Sequence, residues 1–187
     1  RYTIKGLEIN GFESAITNDV YSFRNSVYSN LEPSIEGNLF MESVITSCKF
    51  IGNGRGIYLQ MFDSTKNNDR IVIGKGSLQT ANFFIGSKSN SCRIAHTENV
   101  SINGNYFGAE PLIDTISSIA SGIVVNQCKN VEIINNSICN ALYESIGSIG
   151  SSGKVQNNVI GLNPFNNNIT GYTGLGISAS NTNSATP

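Results

Sequence analysis

Tryptophan is absent, histidine occurs once, methionine twice and proline four times in 187 residues, and only 13% of the residues are charged. A globular domain ordinarily carries about a quarter of its residues as Asp, Glu, Lys and Arg. At about half that level, uncharged polar side chains must keep the surface wet. A helical bundle is excluded, because long surface helices draw on Lys, Glu, Arg and Ala. The net charge is −1 with no cluster of Lys or Arg, so neither a nucleic-acid backbone nor an anionic membrane would be held strongly. No apolar run approaches the ~18 residues of a membrane span. The opening RYTIKGLEIN lacks a signal-peptide pattern, and a chain beginning without Met reads as a processed or excised piece. Cys48, Cys92, Cys128 and Cys139 form no CxxC pair and have no histidine at metal spacing, so they read as free buried thiols and no metal or cofactor is expected.

What the chain has in quantity is Asn (26), Ser (24), Ile (24) and Gly (19). With 39% hydrophobic residues, it is far from a disordered composition. The segments NVSINGNYF (99 to 107) and NVEIINNSI (130 to 138) share a template of two apolar residues five positions apart with Asn between them. The same template pairs Leu7 with Phe12, Ile45 with Phe50, Ile73 with Leu78, Ile102 with Phe107, Ile133 with Ile138, and Val155 with Ile160. The third position after each first member is Asn10, Cys48, Gly76, Asn105, Asn136 and Asn158. Asn and Gly tolerate positive φ, which a sharp bend between strands requires. Stacked at ~4.8 Å, the amides would also hydrogen-bond to one another. A second strand follows each unit: GIYLQ (56 to 60), FFIG (83 to 86), GIVVNQ (122 to 127), SIGSIG (145 to 150) and GLGIS (174 to 178). Such a chain buries its apolar columns by coiling, which predicts an all-β parallel β-helix.

These residues resemble the right-handed parallel β-helices of the pectate-lyase-like superfamily, whose coils read GIxΦ followed by NVxIxNN with an asparagine ladder at the sharp turn. In texture the chain is most similar to the body of a bacteriophage tailspike or capsule depolymerase. The resemblance implies a single-stranded right-handed helix of about six rungs over residues 1–178, a polar tail over 179–187, and a place within a longer chain. It further implies a homotrimer, other segments covering the helix ends, a virion tail location and a bacterial surface polysaccharide as partner. The alternative location is secreted or on a bacterial surface.

Members of that superfamily bind polysaccharide along the face carrying the GIxΦ strands. The outward positions predicted there are Tyr58, Gln60, Val124, Asn126 and Ser145. Walls would come from 108 to 121, 61 to 70 and 86 to 98, since long loops on a rigid scaffold are where function concentrates. Glycoside hydrolysis needs two carboxylates about 5 to 9.5 Å apart. Asp63, Glu110, Asp114 and Glu144 are the candidates, one to protonate the glycosidic oxygen and another to activate water; any one loop carboxylate is more often merely solvated.

Asp69 and Glu98 would stack with Lys129 as a solvated charge column. His96 is the natural general base for a lyase or esterase, with Arg93 beside it to neutralise a uronate, although a lone loop histidine is more often structural. The motif sets of calcium pectate lyases and polygalacturonases are missing. Tyr58, Tyr106, Tyr143 and Tyr172 are candidates to stack on sugars. The leading expectation is a tailspike segment that binds and cleaves bacterial capsule or lipopolysaccharide. A non-catalytic adhesin or structural spike, and a secreted lyase or epimerase, are the alternatives.

Overall fold

The computed structural model describes residues 2–12, 14–17, 42–60, 70–111, 117–167 and 174–180. These residues are nearly all β and form three six-stranded sheets in which every pairing is parallel. Sheet A consists of β1 (Tyr2–Lys5), β4 (Glu42–Thr46), β7 (Arg70–Ile73), β10 (Glu98–Asn103), β13 (Lys129–Ile134) and β16 (Gly153–Gln156). Sheet B holds β2 (Glu8–Asn10), β5 (Lys49–Ile51), β8 (Phe83–Ile85), β11 (Tyr106–Phe107), β14 (Ser137–Ile138) and β17 (Val159–Ile160). Sheet C holds β3 (Ser14–Thr17), β6 (Arg55–Gln60), β9 (Asn90–Ala95), β12 (Ile119–Asn126), β15 (Ala141–Ile149) and β18 (Leu175–Ser180). The chain visits A, B and C in that order throughout, an arrangement compatible with a parallel β-helix. The last strand runs to Ser180, two residues beyond the expected boundary at 178.

Identical positions recur on neighbouring strands, so like side chains stack. In sheet A, Ile4, Ile45, Ile73, Ile102, Ile133 and Val155 are in register. In sheet B the column is Ile9, Phe50, Phe84, Phe107, Ile138 and Ile160. The rings of Phe50 and Phe84 lie 4.8 Å apart and those of Phe84 and Phe107 4.6 Å apart, nearly parallel. These separations match the strand spacing, so the backbone stack sets the aromatic stack. Sheet C adds Ile57, Cys92, Ile123 and Ile146 to the same buried cluster. Each large side chain so enclosed is worth about 1.5 to 3 kcal/mol in transfer from water.

Two predicted pairs are corrected by these columns. The first is Ile4 with Ile9, not Leu7 with Phe12; Leu7 is 49% exposed. The second is Ile73 with Phe84, not Ile73 with Leu78, because residues 74 to 81, including a single 3-10 turn at Leu78–Thr80, are inserted between β7 and β8. Leu78 is 53% exposed on that insertion. FFIG therefore belongs to sheet B, and the sheet C strand of that passage is Asn90–Ala95, which the sequence reading had placed in a loop wall.

At the corner between sheets A and B, Asn82, Asn105, Asn136 and Asn158 form a continuous ladder. Asn82 Nδ2 donates to Asn105 Oδ1 (2.9 Å), Asn105 Nδ2 to Asn136 Oδ1 (3.0 Å) and Asn136 Nδ2 to Asn158 Oδ1 (3.0 Å). Each amide also donates to a sheet A carbonyl, of Ile45, Ile73, Ile102 and Ile133 in turn. Backbone N–H groups of Cys48, Asn82, Asn105 and Asn136 donate to the same Oδ1 atoms. Asn10 and Gly76 take no part; Asn82 replaces Gly76. The physical reason for asparagine also differs from the expectation. Positive φ falls one residue earlier, at Ser47 (59°), Gly104 (70°), Asn135 (56°) and Asn157 (54°). The ladder residues are there to satisfy buried backbone groups, which are costly to leave unpaired.

All four cysteines are buried and none is in a disulfide. Burial pushes the thiols of Cys48, Cys92 and Cys128 upward, most strongly for fully enclosed Cys92. They stay protonated and behave as small apolar side chains.

Candidate functional site

The outer face of sheet C collects the predicted binding residues. Tyr58, Arg93, Val124, Gly147 and Ser178 occupy one outward column on successive strands. Gln60, Ala95, Asn126, Ile149 and Ser180 occupy the next. Arg93 is therefore part of the floor and not of a wall. It lies beside Tyr58, with its guanidinium carbon 5.5 Å from the ring centroid. Arg55, which sequence reasoning missed, approaches the same ring at 4.9 Å. These separations are within cation–π range. The Tyr58 hydroxyl hydrogen-bonds to Gln60 Oε1. At 8% exposure, Tyr58 does not offer its ring to solvent; it fixes the two arginines.

Among the described residues, the Nε atoms of Arg55 and Arg93 and the Oδ1 atom of Asn126 are buried and without hydrogen-bond partners. Asn126 lies two residues beyond Val124, on the same face. Val124 is itself buried, so the floor is closely walled at its middle.

Ser145, expected on this face, is fully buried. Glu144 takes the outward place instead. Its carboxylate folds over Gly147, where a Cβ would fall 2.5 Å from Oε2, and it accepts a hydrogen bond from Ser178 Oγ at 2.7 Å. Glycine at 147 is thus what makes room for the carboxylate. Strict alternation fails here because Ser145 and Ile146 are adjacent and both fully buried, so counting by two misplaces the start of β15. Glu144 is the only acidic residue in the strands of sheet C.

Glu110 is held elsewhere. It is 7% exposed and pairs with Lys49, the first residue of β5 in sheet B, at 2.7 Å. Asp63, Asp114 and Tyr172 lie outside the described residues, as does Asp69. His96 is exposed and takes a left-handed turn position between sheets C and A, with φ 54°. Gln127 (51°) and Gly150 (55°) fill the same turn on the following strands. The backbone N–H groups of these three donate to Asn126, Ile149 and Ser180 carbonyls. The turn uses the backbone of His96, leaving its imidazole to solvent.

Lys129 and Glu98 form the expected surface pair at 2.9 Å. A shallow depression of about 420 Å³ lies over sheet A, but its charged pair, Glu132 and Lys154, is already joined at 2.8 Å. Tyr106 stacks on Phe83 (5.3 Å) and meets Phe165 at a tilt (4.9 Å), whereas Tyr143 is 69% exposed. Among the described residues, no group of three or more His, Cys, Asp or Glu converges.

No protein-family model matches the chain, and neither the curated proteins nor the solved structures gave a match. The function therefore has to be argued from the site.

Proposed function

We infer that this chain is a tailspike-type segment, a right-handed β-helix of about six rungs that holds bacterial surface polysaccharide along the outer face of sheet C. The observation that carries the reading is that face itself. It presents Arg55 and Arg93 around Tyr58, an unpartnered Asn126 acceptor, and the Glu144 carboxylate in its pocket over Gly147. Polar groups of this kind, spaced along rigid strands, suit a polymer of hydroxylated rings better than a compact ligand. A homotrimer on a virion tail, within a longer chain, completes the proposal.

Cleavage is the finer part of it. Glu144 is the carboxylate placed to act on a polymer lying along sheet C. Hydrolysis needs a second carboxylate, for which Asp63 and Asp114 are the candidates on flanking segments. Incubation of the full chain with purified capsule or lipopolysaccharide, followed by sizing of the glycan, tests this. Shortened chains are expected, with Glu144→Gln slowing their appearance by about 10²-fold or more. Binding with no change in chain length would leave the non-catalytic adhesin. That second reading is favoured by the presence of a single carboxylate in the strands of sheet C.

A further inference from the structure

Arg55 and Arg93 come from neighbouring strands and converge on one aromatic ring. Both are only partly exposed. Among the described residues neither has a carboxylate partner, and the Nε–H of each has no acceptor. The cation–π contact offsets part of the repulsion between two guanidiniums, but among the described residues nothing on the face neutralises them. The contrast with the rest of the surface is sharp: Lys49, Lys129 and Lys154 each meet a glutamate. A lasting surplus of two permanent cations at one spot, beside a buried acceptor with no donor at Asn126, describes the complement of a ligand carrying an anion and a hydroxyl.

The order of groups along the stack narrows the ligand. From β6 to β15 the face runs from the two guanidiniums, through Val124, to the Glu144 carboxylate over Gly147. Arg93 and Gly147 are two strands apart, about 9.6 Å. A neutral glycan would use only Asn126 and leave the cations unpaired. A polynucleotide brings a phosphate with every unit and would carry one against Glu144. An acidic polysaccharide avoids both faults, because its charges can be spaced by neutral sugars.

Building on the glycan-binding reading above, we propose that this face selects acidic polysaccharide, seating the anionic group of one sugar on Arg55 and Arg93 while Asn126 accepts a hydroxyl. The planar guanidinium fork matches a carboxylate. Tyr58 is a positioning residue that holds both forks.

The test measures binding of the full chain to hyaluronate and alginate, to the same polymers after carboxyl reduction to neutral sugars, and to a single-stranded oligonucleotide. The acidic polymers are expected to bind about tenfold or more tighter than their reduced forms. The double variant Arg55→Gln/Arg93→Gln should erase that difference, and Lys154→Gln, which removes a cation on sheet A, should keep it. The inference is overturned if acidic and reduced polymers bind alike, if the preference survives the double variant, or if the oligonucleotide binds as well as the uronates. Binding of the reduced polymers without preference leaves the glycan reading standing. Binding of no glycan at all removes both.

Discussion

At the corner of sheets A and B, four stacked asparagines have their amide oxygens and nitrogens all bonded, to one another and to backbone groups of adjacent strands. On the outer face of sheet C, Arg55, Arg93 and Asn126 stand on neighbouring strands in separate register positions, and among the described residues each keeps a buried polar atom with no partner. One scaffold thus carries a saturated polar column and an unsaturated polar face. Saturation is what a structural column requires, because an unpaired buried group costs stability. The unsaturated face gives up some stability and keeps bonding capacity for something outside the chain.

If that division is right, the largest stability effect belongs to the ladder. Asn105→Ala removes the acceptor used by Asn82 and the donor to Ile73 and Asn136. It should cost about 3 kcal/mol, read as a fall in the urea midpoint; a loss below about 1 kcal/mol would deny the ladder its structural role.

Next comes an ion pair that joins sheet B to a buried carboxylate. Lys49→Met leaves Glu110 enclosed without its partner, at a cost of about 2 kcal/mol after allowing for the exposed part of Lys49. The double variant Lys49→Met/Glu110→Gln should recover most of it. A single variant as stable as the parent would show the pair to be idle.

The enclosed thiols give a smaller, pH-dependent effect. Burial raises the Cys92 thiol, so its contribution is intact below the ordinary thiol value of about 8.5 and is lost above it, as the unfolded chain alone gives up the proton. Between pH 7.5 and 9.5 this should remove about 1 kcal/mol for that thiol. Cys92→Ala should flatten the alkaline slope by that amount, and an unchanged slope would refute the assignment.

The smallest shift is expected from Arg55→Gln/Arg93→Gln, within about 0.5 kcal/mol of the parent, because among the described residues neither guanidinium has an ion pair to lose. A large destabilisation would move these arginines to the structural side of the comparison.

Repetition made the columns legible. Ile45, Ile73, Ile102, Ile133 and Val155, together with Phe50, Phe107, Ile138 and Ile160, stand where a fixed five-residue offset puts them. The offset failed at residues 74 to 81, where an insertion hid Asn82 and Phe84 behind Gly76 and Leu78. That one slip assigned FFIG to the wrong sheet and so kept Arg93 away from Tyr58. Aligning CRIA with IYLQ would have found both their contact and, three residues before Tyr58, Arg55. Glu144 was named as a candidate, but its place over Gly147 goes with a break in alternation at the adjacent buried residues Ser145 and Ile146, which counting by two does not reveal.

The asparagine column also has a sense of direction. Between the amides, Asn82, Asn105 and Asn136 each donate to the asparagine that follows, while the same nitrogens also donate to sheet A carbonyls on earlier strands, so the amide-to-amide bonds all run in one direction. Each link strengthens its neighbours, and a break at the middle divides one long run into two short ones. Replacement of Asn105 should therefore weaken bonds it never touches, and the energies of paired defects should fail to add.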